Sequence, residues 1–190
     1  MFGGNLSPTT FEYLPNTWLH WRLGKVKIPG NGFGNGCAVY VKANLEIWLI
    51  GGNFGASKRI MIFDITTKTF RDFPSTLNAG RYAHRGALIP GNSKKILITG
   101  GVRGLSQTTS VEMIDIENGT VAEVSPLNAH RAEHGIGILS INGEERLAVF
   151  GGSKEAFVEI YNTQTAKWEI AKHIETSEEK SSFGFLTSMK

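Results

Sequence analysis

The sequence has little of what marks several common protein classes. Its 190 residues contain one cysteine, Cys37, so no disulfide framework can form within the chain. No run approaches the ~18 consecutive apolar residues of a membrane helix. The opening segment, MFGGNLSPTT, lacks the basic and apolar regions of a secretory signal. These absences favour a cytoplasmic protein, with the nucleus as the alternative compartment.

A strong excess of charge of one sign is also missing. The formal net charge is +3 and the pI is near 9.0, and the basic residues are scattered along the chain. We therefore expect neither nucleic acid nor a membrane as a partner. Because no phosphate-binding loop, dinucleotide fingerprint or Cys-x-x-Cys pair is present, we expect no cofactor, no metal and no enzymatic activity.

Glycine is what the sequence has in abundance. Among its 23 glycines are four Gly-Gly pairs that each close a short apolar run and recur about every 50 residues. They are Gly3-Gly4, Gly51-Gly52, Gly100-Gly101 and Gly151-Gly152. A uniform period of this length predicts one repeat array over residues 1–190, without an internal linker.

A second set of positions repeats in step with the glycine pairs. Leu14, Phe63, Ile114 and Tyr161 are followed seven residues later by Trp21, Phe70, Val121 and Trp168. Each of the first set ends an alternating segment, and a turn rich in Asn, Thr, Gly or Pro separates it from its partner. This pattern predicts a third and a fourth strand joined by a hairpin. We expect Trp21 and Trp168 to fill the space between neighbouring sheets.

A third set precedes the glycine pairs. Arg81 with His84, and Arg131 with His134, share a three-residue spacing, with a weaker counterpart at 180–186. In the first repeat, Gly32 and Asn35 are taken to stand at the Arg and His positions. Two short apolar segments follow each set, and the second of them ends at the glycine pair. They predict an innermost first strand and a second strand.

Together these sets resemble the kelch family: Arg-x-x-His, two apolar strands ending in Gly-Gly, a Tyr position and then Trp. The resemblance implies an all-β fold, a kelch-type β-propeller of four-stranded antiparallel blades. Four repeats would make either a closed small ring, completed by the C-terminal first strand, or part of a larger propeller. It implies a non-catalytic protein–protein interaction module, whose partner is a protein or peptide and not a small-molecule substrate.

Two cellular contexts follow from the family. One is substrate recognition for a Cullin-3-type ubiquitin ligase, which would need a BTB domain from another source, and the other is cytoskeletal (actin) binding. The alternative is an enzyme on a kelch-type propeller, a copper oxidase or a specifier-type lyase. Such an enzyme would need Tyr, His, Cys or carboxylate side chains that converge on one face.

Three motifs have a simpler interpretation than the chemistry they suggest. The string from His130 to His134 reads H-x-x-E-H, but on an extended chain its two histidines are about 13 Å apart, too far to share one zinc ion. Cys37 lies in an apolar run and is interpreted as a core residue. Asn118-Gly119-Thr120 matches a glycosylation acceptor but is interpreted as a hairpin turn.

The loops that follow the glycine pairs are the predicted partner-binding site, because loops of successive blades converge in a propeller. Phe54 and Leu105 are predicted apolar anchors, while Lys58, Arg103 and Lys154 form a positive ring. The predicted contacts are Asn53, Phe54, Lys58, Arg103, Leu105, Gln107, Lys154 and Glu155. The loops at 74–80, 125–130 and 174–179 are expected on the same face.

Overall fold

A computed structural model describes residues 11–14, 20–23, 25–30, 32–52, 57–154 and 157–171. The predicted Gly3-Gly4 pair and the predicted strand at 180–186 lie outside these residues. The described part is built of antiparallel strands, with one short 3-10 turn at Lys42–Asn44. None of its helical segments is long and apolar enough to cross a membrane.

Three consecutive segments each form a four-stranded antiparallel sheet, in the strand order of the chain. The first sheet contains β3 (Cys37–Val41), β4 (Glu46–Ile50), β5 (Ile60–Asp64) and β6 (Thr69–Asp72). The second contains β7 (Arg85–Ile89), β8 (Asn92–Thr99), β11 (Val111–Asp115) and β12 (Thr120–Val124). The third contains β13 (Gly135–Ile141), β14 (Glu144–Phe150), β15 (Glu159–Asn162) and β16 (Lys167–Ile170).

Two small hairpins accompany these sheets. One precedes the first sheet and pairs β1 (Phe11–Leu14) with β2 (His20–Leu23). The other pairs β9 (Val102–Arg103) with β10 (Ser106–Gln107), between β8 and β11 of the second sheet. This second hairpin was not predicted, because two-residue strands are too short to show an alternating pattern.

The second strand of each sheet is buried on both faces in its half nearer the glycine pair, so its sequence is continuously apolar there. In β4, Trp48 and Ile50 pack toward the second sheet, while Leu49 packs on the opposite face with Ile28 and Phe33. In β8, Ile96 and Ile98 face the first sheet and Leu97 faces the third. Neighbouring sheets therefore share one core on each face, as the repeat pattern predicts.

The inter-sheet position of the predicted tryptophan is confirmed at Trp168. Its side chain is buried, packs against Tyr161 with ring centroids 5.1 Å apart, and joins Leu97 of the second sheet in one core. Phe70 packs on Phe63, at 4.9 Å between centroids, at the edge of the core around Leu49. The side chain of Trp21 lies outside the described part of the structure.

The strand register corrects one alignment made from the sequence. Phe63 pairs with Phe70, Ile114 with Val121 and Tyr161 with Trp168, each as the second pair from its turn. In the first hairpin that place belongs to Tyr13 and Trp21, whereas Leu14 pairs with His20. The assignment of Leu14 to the Tyr position is therefore wrong by one residue, because five residues separate β1 from β2, whereas four separate the corresponding strands of the second and third sheets.

The positions of Gly32 and Asn35 need the same correction. The first strands begin at Cys37, Arg85 and Gly135, so Asn35, Ala83 and Glu133 are equivalent. All three have left-handed backbones, with φ of 53°, 54° and 55°. It follows that Phe33 stands at the Arg81 position and Gly36 at the His84 position.

The all-β, antiparallel, four-stranded architecture is confirmed for three repeats. The described strands form an open succession of three sheets and one further hairpin, and no ring closes among them.

Candidate functional site

The glycine pairs link each sheet to the next. The amide of Gly52 donates to the carbonyl of Arg81 at 2.9 Å, and that of Gly101 donates to the carbonyl of Arg131 at 2.7 Å. Both glycines have positive φ, and a Cβ at Gly101 would lie 2.7 Å from the Cβ of His84. Glycine is required there because two backbones approach too closely for a side chain. The predicted structural role of Gly51, Gly52, Gly100, Gly101, Gly151 and Gly152 agrees with their positive φ.

Arg81 and Arg131 are fully buried and each forms an ion pair with a buried glutamate. Arg81 Nη2 lies 2.6 Å from Glu112 Oε1, and Arg131 Nε lies 3.0 Å from Glu159 Oε1. Arg131 also donates to the carbonyls of Gly151 and Phe157, both at 2.7 Å. All three nitrogens of the Arg131 guanidinium are hydrogen-bonded, and this buried group fixes the segment after the glycine pair.

The same glutamate fixes the loop that enters the third sheet. Glu159 accepts from the amides of Asn128 at 2.5 Å and Ala129 at 3.3 Å, and from the side chain of Asn128 at 2.8 Å. In the second sheet Glu112 accepts from the amide of Asn78 at 2.6 Å. The loops before and after each pair of inner strands are thus held by one buried charge pair.

His84 and His134 are buried and tie each sheet to the preceding one. His84 Nε2 donates to the carbonyl of Ile50 at 3.0 Å, and His134 Nε2 lies 2.8 Å from Thr99 Oγ1. Burial, with the charges of neighbouring arginines as a smaller cause, lowers the pKa of both imidazoles to about 3. Both rings are neutral at pH 7, so they are structural links, as the sequence predicts.

A groove of about 510 Å³ lies between the second and third sheets at the end where the glycine pairs lie. It brings together the β10 strand, the loop that enters the third sheet, and the segment after Gly152. Its lining residues are Gln107, Asn128, Ala129, His130, Ser153, Lys154, Phe157 and Ile170. Two of the predicted contacts, Gln107 and Lys154, therefore share one surface.

The other predicted contacts are more dispersed. Leu105 stands at the tip of the β9–β10 hairpin with its side chain fully exposed, at 103%. Arg103 lies in the same hairpin and Lys58 is exposed after the first glycine pair. Asn53, Phe54 and Glu155 lie outside the described residues. His130 belongs to the loop at 125–130 that was expected on this face. Phe157 and Ile170 were not predicted as groove residues, because their proximity depends on the register of β15 and β16.

A second cleft, of about 360 Å³, opens at the other end of the strands. Its walls come from Pro90-Gly91 in a turn of the second sheet, and from the start of β14 at 144–146 and the end of β15 with its turn at 162–164 in the third sheet. Arg146 pairs with Glu144 there at 2.8 Å. This exposed pair is screened by solvent and contributes little to stability.

The residues that suggested chemistry are placed for structural roles. Cys37 is buried, and desolvation raises the pKa of its thiol to about 12, so it is a poor nucleophile. Residues 130–134 form a turn into β13, with His130 exposed and His134 buried. Within the described ranges, no group of three or more His, Cys, Asp or Glu side chains could hold a metal ion.

Neither a model of a known protein family nor a curated protein matches this sequence.

Proposed function

We propose that this chain is a non-catalytic protein-recognition module, a β-propeller of kelch-type repeats whose glycine-pair end binds a protein or peptide. The observation that carries the proposal is the groove between the second and third sheets. Three loops from two repeats meet there and expose polar and apolar groups side by side. Such mixed surfaces on rigid scaffolds are typical of protein interfaces.

The rigidity of the loops supports recognition. The loop at Asn128 and Ala129 and the segment at Phe157 are both fixed by the buried Arg131–Glu159 pair. A surface that is ordered before binding loses less conformational entropy when its ligand arrives. The exposed tip residue Leu105 adds an apolar contact outside the groove.

Affinity capture with mass spectrometry tests this proposal. The unmodified chain is compared with an Arg103→Ala, Lys154→Ala double variant, which removes two cations from the glycine-pair end. A matched control, Lys94→Ala with Arg146→Ala, removes two cations that pair with Glu117 and Glu144 in turns at the other end. We expect the first variant to lose a specific partner that the control retains, because cations on an interface steer and hold a complementary partner.

If the double variant keeps every captured protein, the recognition surface is not at this end. The identity of a lost partner also distinguishes the two contexts that the kelch resemblance implies: a ubiquitin-ligase substrate, or actin. Stoichiometric copper, iron or zinc in the purified protein would instead favour the enzyme alternative.

A further inference from the structure

The second and third sheets differ at one pair of equivalent positions beside the groove. Arg103 and Lys154 each lie two residues after a glycine pair. On the neighbouring outer strands, Glu123 pairs with Glu112 and Ile170 pairs with Glu159, and these two glutamates bind the repeat arginines. Glu123 of the second sheet and Ile170 of the third are therefore equivalent.

In the second sheet, the side chains at these two positions form an ion pair with each other. Both terminal nitrogens of the Arg103 guanidinium lie 3.4 Å from Glu123 Oε1. In the third sheet, the exposed Lys154 has no ion-pair partner within the described part of the chain, and Ile170 is 48% exposed. The third sheet thus leaves a cation and an apolar side chain unpartnered where the second has an ion pair.

The groove floor between them is apolar and fixed. The Phe157 ring lies over the Arg131 guanidinium, 5.1 Å from its carbon, and the Phe157 carbonyl accepts from the same arginine. Ser110 occupies the equivalent position in the second sheet, where its carbonyl accepts from Arg81 at 2.9 Å. The apolar floor is therefore a property of the third sheet and does not follow from the repeat.

The described lining of the groove is positively charged at Lys154. None of the eight residues that line it carries a carboxylate, whereas Lys154 carries a positive charge and Gln107 an amide donor. Glu159, which pairs with Ile170 across β15 and β16, is buried and already accepts four hydrogen bonds, from Asn128, Ala129 and Arg131. Among the described residues, no carboxylate pairs with Lys154 as Glu123 pairs with Arg103, so an acidic group of a ligand fits this place.

We infer that this groove binds an extended peptide segment with an acidic side chain next to an apolar one. The peptide carboxylate pairs with Lys154, and the apolar side chain covers Phe157 and Ile170. This inference rests on the proposed recognition function and specifies the chemistry of its ligand. Charge complementarity selects the acidic residue, and the buried apolar contact supplies affinity.

The test uses a displayed library of random short peptides, panned on the intact chain, with enriched peptides then measured by titration calorimetry. The decisive variant is Ile170→Glu, which reproduces the second-sheet arrangement and gives Lys154 an internal partner. We expect it to weaken binding by at least about tenfold, because the ligand carboxylate loses its cation. Ile170→Val is the matched control and is expected to retain binding. Equal thermal unfolding midpoints confirm that both variants fold.

Reversal of the charge gives a second readout. Lys154→Glu is expected to select basic peptides from the same library. Three results together support the inference. The unmodified chain enriches peptides with acidic and apolar residues, Ile170→Glu loses this enrichment, and Lys154→Glu enriches basic residues in place of acidic ones. Peptides that bind Ile170→Glu equally but fail on Arg103→Ala overturn it while leaving the proposed function in place. A library that yields no ligand for this groove also overturns it, and the capture experiment then decides the proposed function separately.

Discussion

At the residue scale, a charged pair and an apolar pair occupy the same place in neighbouring sheets. Arg81 and Glu112 form a buried ion pair in the second sheet, and Phe33 and Met61 are buried at the equivalent positions of the first. A Cβ on Gly36 would lie 2.6 Å from the Phe33 ring, so the ring also excludes a histidine there. The exchange of both partners together avoids an unpaired buried charge.

This equivalence predicts how the pair responds to mutation. Arg81→Met alone leaves Glu112 buried without its cation, and we expect it to lower the free energy of unfolding by about 4 kcal/mol. The double variant Arg81→Met, Glu112→Leu removes both charges and should recover most of that loss. Urea unfolding of the two variants and the unmodified chain measures the difference. If the double variant is as unstable as the single one, apolar residues cannot replace the ion pair in the second sheet as they do in the first.

At the element scale, the turn after each second strand joins two sheets through the main chain. Gly101 packs against His84 of its own repeat, and its amide donates to the carbonyl of Arg131, which leads into the third sheet. Gly91, in the turn between β7 and β8, also has positive φ, 74°, but has no atom within 4 Å of its Cβ position. Alanine substitutions at these two glycines therefore separate the free energy cost of a left-handed backbone from that of close contact with neighbouring atoms.

We expect Gly91→Ala to lower the free energy of unfolding by about 1 kcal/mol, the cost of a left-handed alanine. Gly101→Ala should lower it by about 3 kcal/mol, because the added methyl group also meets the His84 Cβ and the Tyr82 carbonyl oxygen, each at 2.7 Å. Chemical denaturation of the two variants checks this order. Equal losses would mean that the turn moves away from Tyr82 and His84 at no cost.

The strands of this fold could be predicted from the sequence to within a few residues. Alternation and the glycine pairs place β3, β4, β5 and β6 because each pattern reports local burial. The one-residue errors at Tyr13 and Phe33 arose where a turn changes length or where the Arg-x-x-His motif is absent. Local sequence does not encode register across a turn of unknown length.

The site could be predicted only in part. Gln107 and Lys154 were found because loops after the glycine pairs share one end of the sheets. Phe157 and Ile170 were not, because their contact with Lys154 needs the pairing of β15 with β16 and the packing of the third sheet on the second. Such long-range proximity has no local signature.

At the scale of the whole molecule, two neutral histidines connect the three sheets. His84 joins the second sheet to the carbonyl of Ile50, and His134 joins the third to Thr99. Each ring has a buried Nδ1 without a partner in the described structure, and Arg81, Arg85 or Arg131 lies nearby. A proton added to either ring would be a buried cation without an acceptor.

Stability should therefore fall with acid. Because burial lowers the pKa of each histidine in the folded chain to about 3, below its ordinary 6.5, the unfolded state takes up the proton first. The stabilisation is complete above pH 6.5 and is lost as the pH falls from 6.5 toward 3, at about 1.4 kcal/mol per pH unit for each ring. Urea unfolding at a series of pH values measures this slope.

His134→Gln should roughly halve the slope, while His130→Gln, at an exposed position, should leave it unchanged. A slope unaffected by His134→Gln would assign the acid sensitivity to other groups.

The left-handed residues that precede the first strands are joined by their backbones alone. Glu133 N donates to Ala83 O at 2.8 Å, and Ala83 N donates to Asn35 O at 2.6 Å. Peptide groups are the same whatever side chain they carry, so divergence of the surrounding sequence cannot remove these links. The chain can exchange the side chains of its exposed loops while successive repeats keep their order.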